Sequence, residues 1–212
     1  MTDDQKPRLG ILLSGRGSNF LAIADNIASG KLNAEIAIVI SNLSKAAGVE
    51  AAQKRRLNAV VIPAKGRTRE DHDAEIVAAL HAAKIDLVVL AGYMRLLSPG
   101  FIRAFPQRIL NVHPSLLPAF PGLEAQRQAL DYGAKVTGCT VHFVDEDLDH
   151  GPIIVQRPVP VFDHDTLEAL SARILKEEHI AYSEAIAKVL GGNCKIDGRC
   201  VRFSENKLSE KR

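Results

Sequence analysis

Short apolar runs alternate along this chain with stretches whose apolar residues recur every three or four positions. A strand-length run followed by a helical period, repeated, is the pattern of an α/β sheet whose parallel strands are joined by crossover helices. Residues 9–14 form an unbroken apolar strand, followed by the turn Gly15-Arg16-Gly17-Ser18-Asn19. Leu21, Ala24, Ile27 and Ala28 then repeat at helical spacing until Gly30. Residues 37–41 predict a second strand, 46–56 a helix and 60–63 a third strand. Thr68 and Asp71 resemble a capping box that opens a helix running to Lys84, with Ile76, Val77 and Leu80 on its buried face. The run 86–91 predicts a central parallel strand, because only a strand covered on both faces is apolar throughout. Ser98-Pro99 opens the next helix, with serine as the cap and proline at the first helical position, and 108–113 is the next strand.

The segment Pro114-Ser115-Leu116-Leu117-Pro118-Ala119-Phe120-Pro121-Gly122 is too rich in proline for a helix or a central strand. A short helix over 124–132 follows and ends at Gly133. Residues 136–144 and 153–161 predict two strands paired antiparallel at the edge of the sheet. Asp165 and Glu168 open a last long helix closed by Gly191-Gly192, and 194–203 reads as a hairpin turning at Asp197-Gly198. The expected fold is a single doubly wound domain over 1–212, with a mostly parallel sheet, helices on both faces and an antiparallel edge. Its core spans about 8–190, and the tails 1–7 and 204–212 read as mobile.

Composition narrows the function. The chain has 212 residues, 46% of them hydrophobic and 25% charged, which is globular and not disordered. Lys and Arg number 27 against 25 Asp and Glu, so a concentrated basic surface for nucleic acid is not expected. The longest apolar runs, such as 87–92, fall far short of the roughly 20 residues of a membrane span. Residues 1–8 do not read as a signal peptide, and Cys139, Cys194 and Cys200 suit neither a disulfide framework nor a zinc site. A soluble, cytoplasmic protein with reduced thiols, no membrane partner and no metal is expected.

In doubly wound sheets ligands sit beyond the carboxyl ends of the strands, so the residues just after each strand carry the chemistry. Three groups stand there. The turn Gly15–Asn19 lacks the third glycine of a dinucleotide fingerprint and the Gly-Lys-Ser/Thr ending of a P-loop. It suits a single phosphate on free helix N–H groups, and it also suits an ordinary tight turn with a cap. Asn111 and His113, at i and i+2 of one strand, project from the same face and offer an amide donor beside an imidazole, as an oxyanion requires. A solvated polar pair at a strand end uses the same pattern. The third is the acidic loop Asp145-Glu146-Asp147-Leu148-Asp149-His150-Gly151-Pro152, which lacks the spacing of a calcium-binding EF-hand. Asp145, Glu146 and Asp147 read as a surface turn. Asp149, fixed by Gly151-Pro152, would favour the imidazolium form of His113 and raise its pKa if the two approach. His142 alternates with Val141 and Phe143 and lines the same cleft, while Ser14, Ser18 and Ser115 lack the context of an acyl-serine nucleophile.

Together with Leu90-Ala91-Gly92-Tyr93-Met94-Arg95-Leu96-Leu97-Ser98, these motifs resemble the folate-dependent formyltransferases. The four motifs, with Asn111-Val112-His113-Pro114-Ser115-Leu116-Leu117-Pro118 and Leu148-Asp149-His150-Gly151-Pro152 among them, occur in family order from about residue 8 to 190. The resemblance implies transfer of a formyl group from 10-formyltetrahydrofolate, as co-substrate, to the amine of glycinamide ribonucleotide. It implies Asn111, His113 and Asp149 as the catalytic trio, without a metal or a covalent enzyme intermediate. It places the ribonucleotide phosphate on Gly17, Ser18, Asn19 and Phe20, with Glu178 reaching the ribonucleotide. The folate contacts it implies are Arg69, Met94, Arg95, Leu96, Leu97 and Asn111, together with the loop 145–149. Arg69 and Glu178 also fit plain helix-surface roles. Many relatives carry a histidine where this chain has Glu124, Ala125 or Gln126, so no substrate contact is expected from that turn. Relatives acting on tRNA or hydrolysing the folate add a further domain, for which 212 residues read as leaving no room. A non-catalytic folate- or nucleotide-binding module would not need the trio. The assembly, monomer or homodimer, stays open.

Overall fold

The computed structural model describes residues 5–204. Its strands are β1 (Arg8–Leu13), β2 (Glu35–Ser41), β3 (Ala59–Val61), β4 (Leu87–Leu90), β5 (Ile109–His113), β6 (Val136–Phe143), β7 (Ile153–Pro160), β8 (Cys194–Asp197) and β9 (Cys200–Phe203). The helices are α1 (Ser18–Ala28), α2 (Ala47–Lys54), α3 (Arg69–Ala82), α4 (Pro99–Ala104), α5 (Ala125–Tyr132) and α6 (Leu167–Leu190). All strands join one sheet in the order β3-β2-β1-β4-β5-β6-β7-β9-β8. Pairing is parallel from β3 through β5 and antiparallel from β5 through β7.

The parallel half is built by burial on two faces. Leu9, Ile11 and Leu13 of β1 face one core, shared with Phe20 and Ile23 of α1, Val49 of α2, and Ile174 and Tyr182 of α6. Leu12 faces the other, shared with Ile76 and Leu80 of α3, Phe101 of α4 and Phe105 just after it. This alternation is what a strand between two helical layers requires. The chain order reverses between β1 and β4, which opens a crevice at their carboxyl ends.

The helix starts follow local chemistry. Thr68 Oγ1 accepts from the Asp71 N–H, and Ser98 Oγ from the Phe101 N–H, each satisfying one free donor of a first turn. The start of the last helix differs from the sequence reading. Its cap is Thr166, whose hydroxyl accepts from the Ala169 N–H, while Asp165 binds Arg173 and the Phe162 N–H instead. The antiparallel pair β6–β7 also does not end the sheet. The hairpin β8–β9 adds beyond it through a single parallel pairing of Ile153 with Cys200. The expected tails fall partly on 1–4 and 205–212, outside the described residues. The described ends are tied down rather than loose: the Pro7 carbonyl accepts from the Glu35 N–H at 2.8 Å, and the Ser204 N–H donates to Asn193 O at 3.0 Å. No helix among the described residues is long and apolar enough to cross a membrane.

Candidate active site

The site starts from the register of β5 and β6. Asn111 lies opposite His142, and His113 opposite Thr140, so the expected pair on β5 gains a histidine and a threonine from the neighbouring strand. Thr140 is buried and fixes the proline-rich segment. Its hydroxyl donates to Ser115 O at 2.7 Å and accepts from the Leu117 N–H and the Gln156 side chain. The Leu117–Pro118 peptide within that segment is cis. Beneath the strand ends, the buried Tyr182 hydroxyl lies 2.9 Å from both Leu90 O and Leu110 O, joining β4 to β5.

His113 is buried and stands between two acceptors. Its Nδ1 is 3.3 Å from Asp149 Oδ2, and its Nε2 is 2.8 Å from the Phe120 carbonyl. Asp149 Oδ2 also accepts from the Gly122 N–H at 2.8 Å, which ties the proline-rich segment to the acidic loop. The approach of Asp149 to His113 expected from sequence is therefore present. Asp149 itself has a φ of +50°, in the left-handed region that Asp tolerates better than most residues. Gly151 is required nearby, because a Cβ there would overlap the Phe143 carbonyl.

Buried His142 lies across the strand pair from Asn111. Burial lowers its pKa below the usual imidazole value. Its Nδ1 is 2.8 Å from the Phe143 carbonyl, which makes that nitrogen the N–H donor. Nε2 is then an acceptor, 3.3 Å from Asn111 Nδ2. This bond orients the Asn111 amide with its nitrogen toward the cleft's histidines and leaves a second N–H free. Sequence reasoning placed His142 only along the cleft; the histidine directly across a strand pair from Asn111 was the signal for its role.

The first turn has the expected helix-terminus geometry. Gly17 precedes α1 with a φ of +70°, and a Cβ there would press on Gly48, Leu13 and Phe20, each at 3.3 Å. Ser18, Asn19 and Phe20 are the first residues of α1, with N–H groups free of helical partners. Phe20 is fully buried in the core, so only its backbone is available at the turn. Asn19 Nδ2 donates to Glu178 Oε2 at 2.8 Å, which brings two residues far apart in sequence to one place. Burial raises the Glu178 pKa, and the Asn19 hydrogen bond partly opposes that rise. Beside the turn lies an open cleft of about 460 Å³ lined by Ser14, Gly15, Arg16 and Lys45 among others. A cavity of about 490 Å³ bordered by Asp86, Gln107, Arg108 and Cys194 includes none of these site residues.

The expected folate residues fall into two groups. Met94, Arg95, Leu96 and Leu97 occupy the irregular loop between β4 and α4, with Met94 73% and Leu96 60% exposed and Leu97 buried. Leu90 pairs with Asn111, so this loop rises from the strand next to β5. Arg69 is the first residue of α3, 3.4 Å from Glu70, with no bond to any other site residue. Glu124 precedes α5 with a φ of +55° and Ala125 is buried, so the turn where relatives carry histidine serves to start a helix. Burial raises the Cys139 thiol to about 12, which removes it as a nucleophile. Among the described residues no cluster of His, Cys, Asp or Glu is arranged to hold a metal ion.

Residues 8–186 match the formyl transferase family. The chain belongs to that family. Phosphoribosylglycinamide formyltransferase of Escherichia coli (strain K12) is 40% identical over 187 residues, which cover 88% of each chain. The trifunctional purine biosynthetic protein adenosine-3 of Drosophila melanogaster is 44% identical over 200 residues, 92% of this formyl transferase chain but only 15% of that protein. The crystal structure of glycinamide ribonucleotide transformylase 1 from Symbiobacterium toebii superimposes with a TM-score of 0.93 at 48% identity, covering 96% of both chains. The doubly wound sheet with its antiparallel extension is thus the fold of this formyl transferase family.

Proposed function

We propose that this chain transfers the formyl group of 10-formyltetrahydrofolate to the amine of 5'-phosphoribosylglycinamide in purine biosynthesis. The observation that carries the reading is the convergence of Asn111, His113 and Asp149 at one end of the sheet, in a family whose similar members bear that activity in their names. The free N–H groups of Ser18, Asn19 and Phe20 suit the ribonucleotide phosphate, and the buried carboxylate of Glu178 suits its hydroxyls. The exposed side chains of Met94, Leu96 and Leu148 suit an apolar heterocycle, leaving backbone groups of residues 95–97 to read its polar edge.

The amine lone pair attacks the formyl carbon, and the carbonyl oxygen gains the negative charge. His113, beside Asp149, and the free N–H of Asn111 donate to that oxygen. For His113 to do so through Nε2, the Phe120 carbonyl must give up its present hydrogen bond. When the tetrahedral centre collapses, the carbon–nitrogen bond to the folate breaks. A proton from the attacking amine reaches the departing nitrogen through His113 or a water it holds. No metal and no covalent enzyme intermediate takes part in this scheme.

The test is spectrophotometric turnover of 10-formyltetrahydrofolate with and without the ribonucleotide. Formyl loss that requires the acceptor supports the proposal. Loss without acceptor would make the chain a hydrolase, and folate binding without loss would make it a binding module. Asn111→Ala should lower kcat by about 10²–10³, the usual consequence of losing one oxyanion donor.

A further inference from the structure

We propose that Ser14 and Asp73 are positioning residues that hold the loop between β4 and α4 in its folate-reading shape; the inference rests on the function proposed above. Tyr93 and Leu97 anchor this loop in the core, but the exposed Met94 and Leu96 beside them have little packing to select one backbone conformation. Backbone recognition nevertheless needs its N–H and C=O groups fixed in place.

Besides the Ala91 N–H, which extends the sheet by donating to Leu12 O at 2.8 Å, three backbone groups of this loop are held from outside it. The Gly92 carbonyl accepts from the Ser14 N–H at 3.0 Å. The Met94 N–H donates to Ser14 Oγ at 2.9 Å. The Ser98 N–H donates to Asp73 Oδ2 at 2.6 Å. The Ser14 hydroxyl in turn donates to Asn42 Oδ1 at 2.6 Å, so it donates and accepts at once and its orientation is fixed. Ser14 follows directly on β1 and precedes Gly15 of the phosphate turn, and Asn42 lies just past β2. One buried serine therefore ties the turn for one substrate to the loop for the other, across the crevice where the strand order reverses.

Asp73 anchors the far end. It is 1% exposed, and a carboxylate is costly to bury without strong partners. Its Oδ1 has no hydrogen-bond partner among the described residues and faces His72 Nδ1 at 3.6 Å. Its negative charge adds to burial in raising the phenol of Tyr93, a residue of the same loop. The catalytic scheme uses neither Asp73 nor Ser14; holding the loop accounts for both.

The experiment compares KM and kcat for both substrates, with equilibrium dialysis of tetrahydrofolate as a readout independent of turnover. Ser14→Ala and Asn42→Ala should each weaken folate binding about tenfold, as loss of one well-placed hydrogen bond does, with kcat and the ribonucleotide KM changing far less. Asn42→Asp, which keeps an acceptor for the Ser14 hydroxyl, should retain folate affinity. Asp73→Asn, which keeps an acceptor for the Ser98 N–H, should retain most of it, and Asp73→Ala should not. Unchanged folate binding in both alanine variants at Ser14 and Asn42 would overturn the proposal. So would a uniform fall in kcat and in affinity for both substrates, or failure of the conservative variants to restore folate binding. If the wild type shows no turnover, the proposed function fails, while the dialysis series still decides the role of the loop anchors.

Discussion

At the scale of single residues the site depends on two buried histidines with different partners. His113 faces a carboxylate and a carbonyl, while His142 is buried against a carbonyl and an amide donor, which only the neutral ring satisfies. Asp149→Asn keeps an acceptor for the Gly122 N–H but removes the charge beside His113. The fold should survive and kcat should fall by about 10²–10⁴, the range for general acid–base groups, as steady-state kinetics would read. For His142 the consequence is in stability. Its pKa is lowered from 6.5 on folding, so the folded state binds fewer protons than the unfolded chain. Its contribution is complete above about 6.5 and is lost as pH falls through the lowered value. Urea midpoints measured from pH 7 to pH 5 should decline, and His142→Gln should remove up to about 1.4 kcal/mol per pH unit of that slope. An unaltered slope in the variant would show that His142 is not the group responsible.

At the scale of elements, Asp149 is held by the loop that joins β6 to β7, and Gly151 lets that loop pass under the Phe143 carbonyl. Gly151→Ala should cost about 1–3 kcal/mol by overpacking and displace Asp149, so Tm and kcat should fall together. Elements were legible in the sequence where one local pattern determined them. The unbroken apolar runs of β1 and β4 could only be doubly covered strands, and Thr68 and Ser98 cap their helices as local chemistry requires. Asn111 and His113 were legible for the same reason, since alternation along one strand puts both on one face. What local pattern could not give was register. The place of His142 depends on which residue of β6 meets Asn111, and the grip of Ser14 on Met94 depends on β1 lying beside β4. The cap at Thr166 was misassigned to its neighbour because Asp165 is an equally good cap by type. An arginine a few turns along the helix claims that carboxylate instead. The antiparallel edge was legible, but the joining of the hairpin to it was not, because its strands are short and half-exposed and nothing in their composition announces that they extend the sheet.

At the scale of the whole molecule, the sheet gathers groups from both halves of the chain, and Glu178 shows what that convergence costs. It comes from the middle of α6 and meets Asn19 at the start of α1, leaving a carboxylate 7% exposed. Burial raises its pKa above 4.5, so folding is helped by its protonated form. That contribution is complete below about 4.5 and is lost as pH rises through the raised value, so at neutral pH the residue opposes folding. The Asn19 hydrogen bond offsets only part of this. A group that opposes folding fits the trade of stability for function seen at active sites, here the ribonucleotide contact proposed for Glu178. Glu178→Gln keeps an acceptor for Asn19 and removes the charge. Near pH 7.5 it should raise Tm by a few degrees, the equivalent of about 1 kcal/mol in a chain of this size, and the gain should shrink toward pH 4. The same variant should raise the ribonucleotide KM about tenfold while leaving folate binding in place. Differential scanning calorimetry across pH, with kinetics on the same preparation, would read both effects. A Tm that falls in Glu178→Gln would mean that the carboxylate is held for the fold, and an unchanged ribonucleotide KM would remove it from the substrate site.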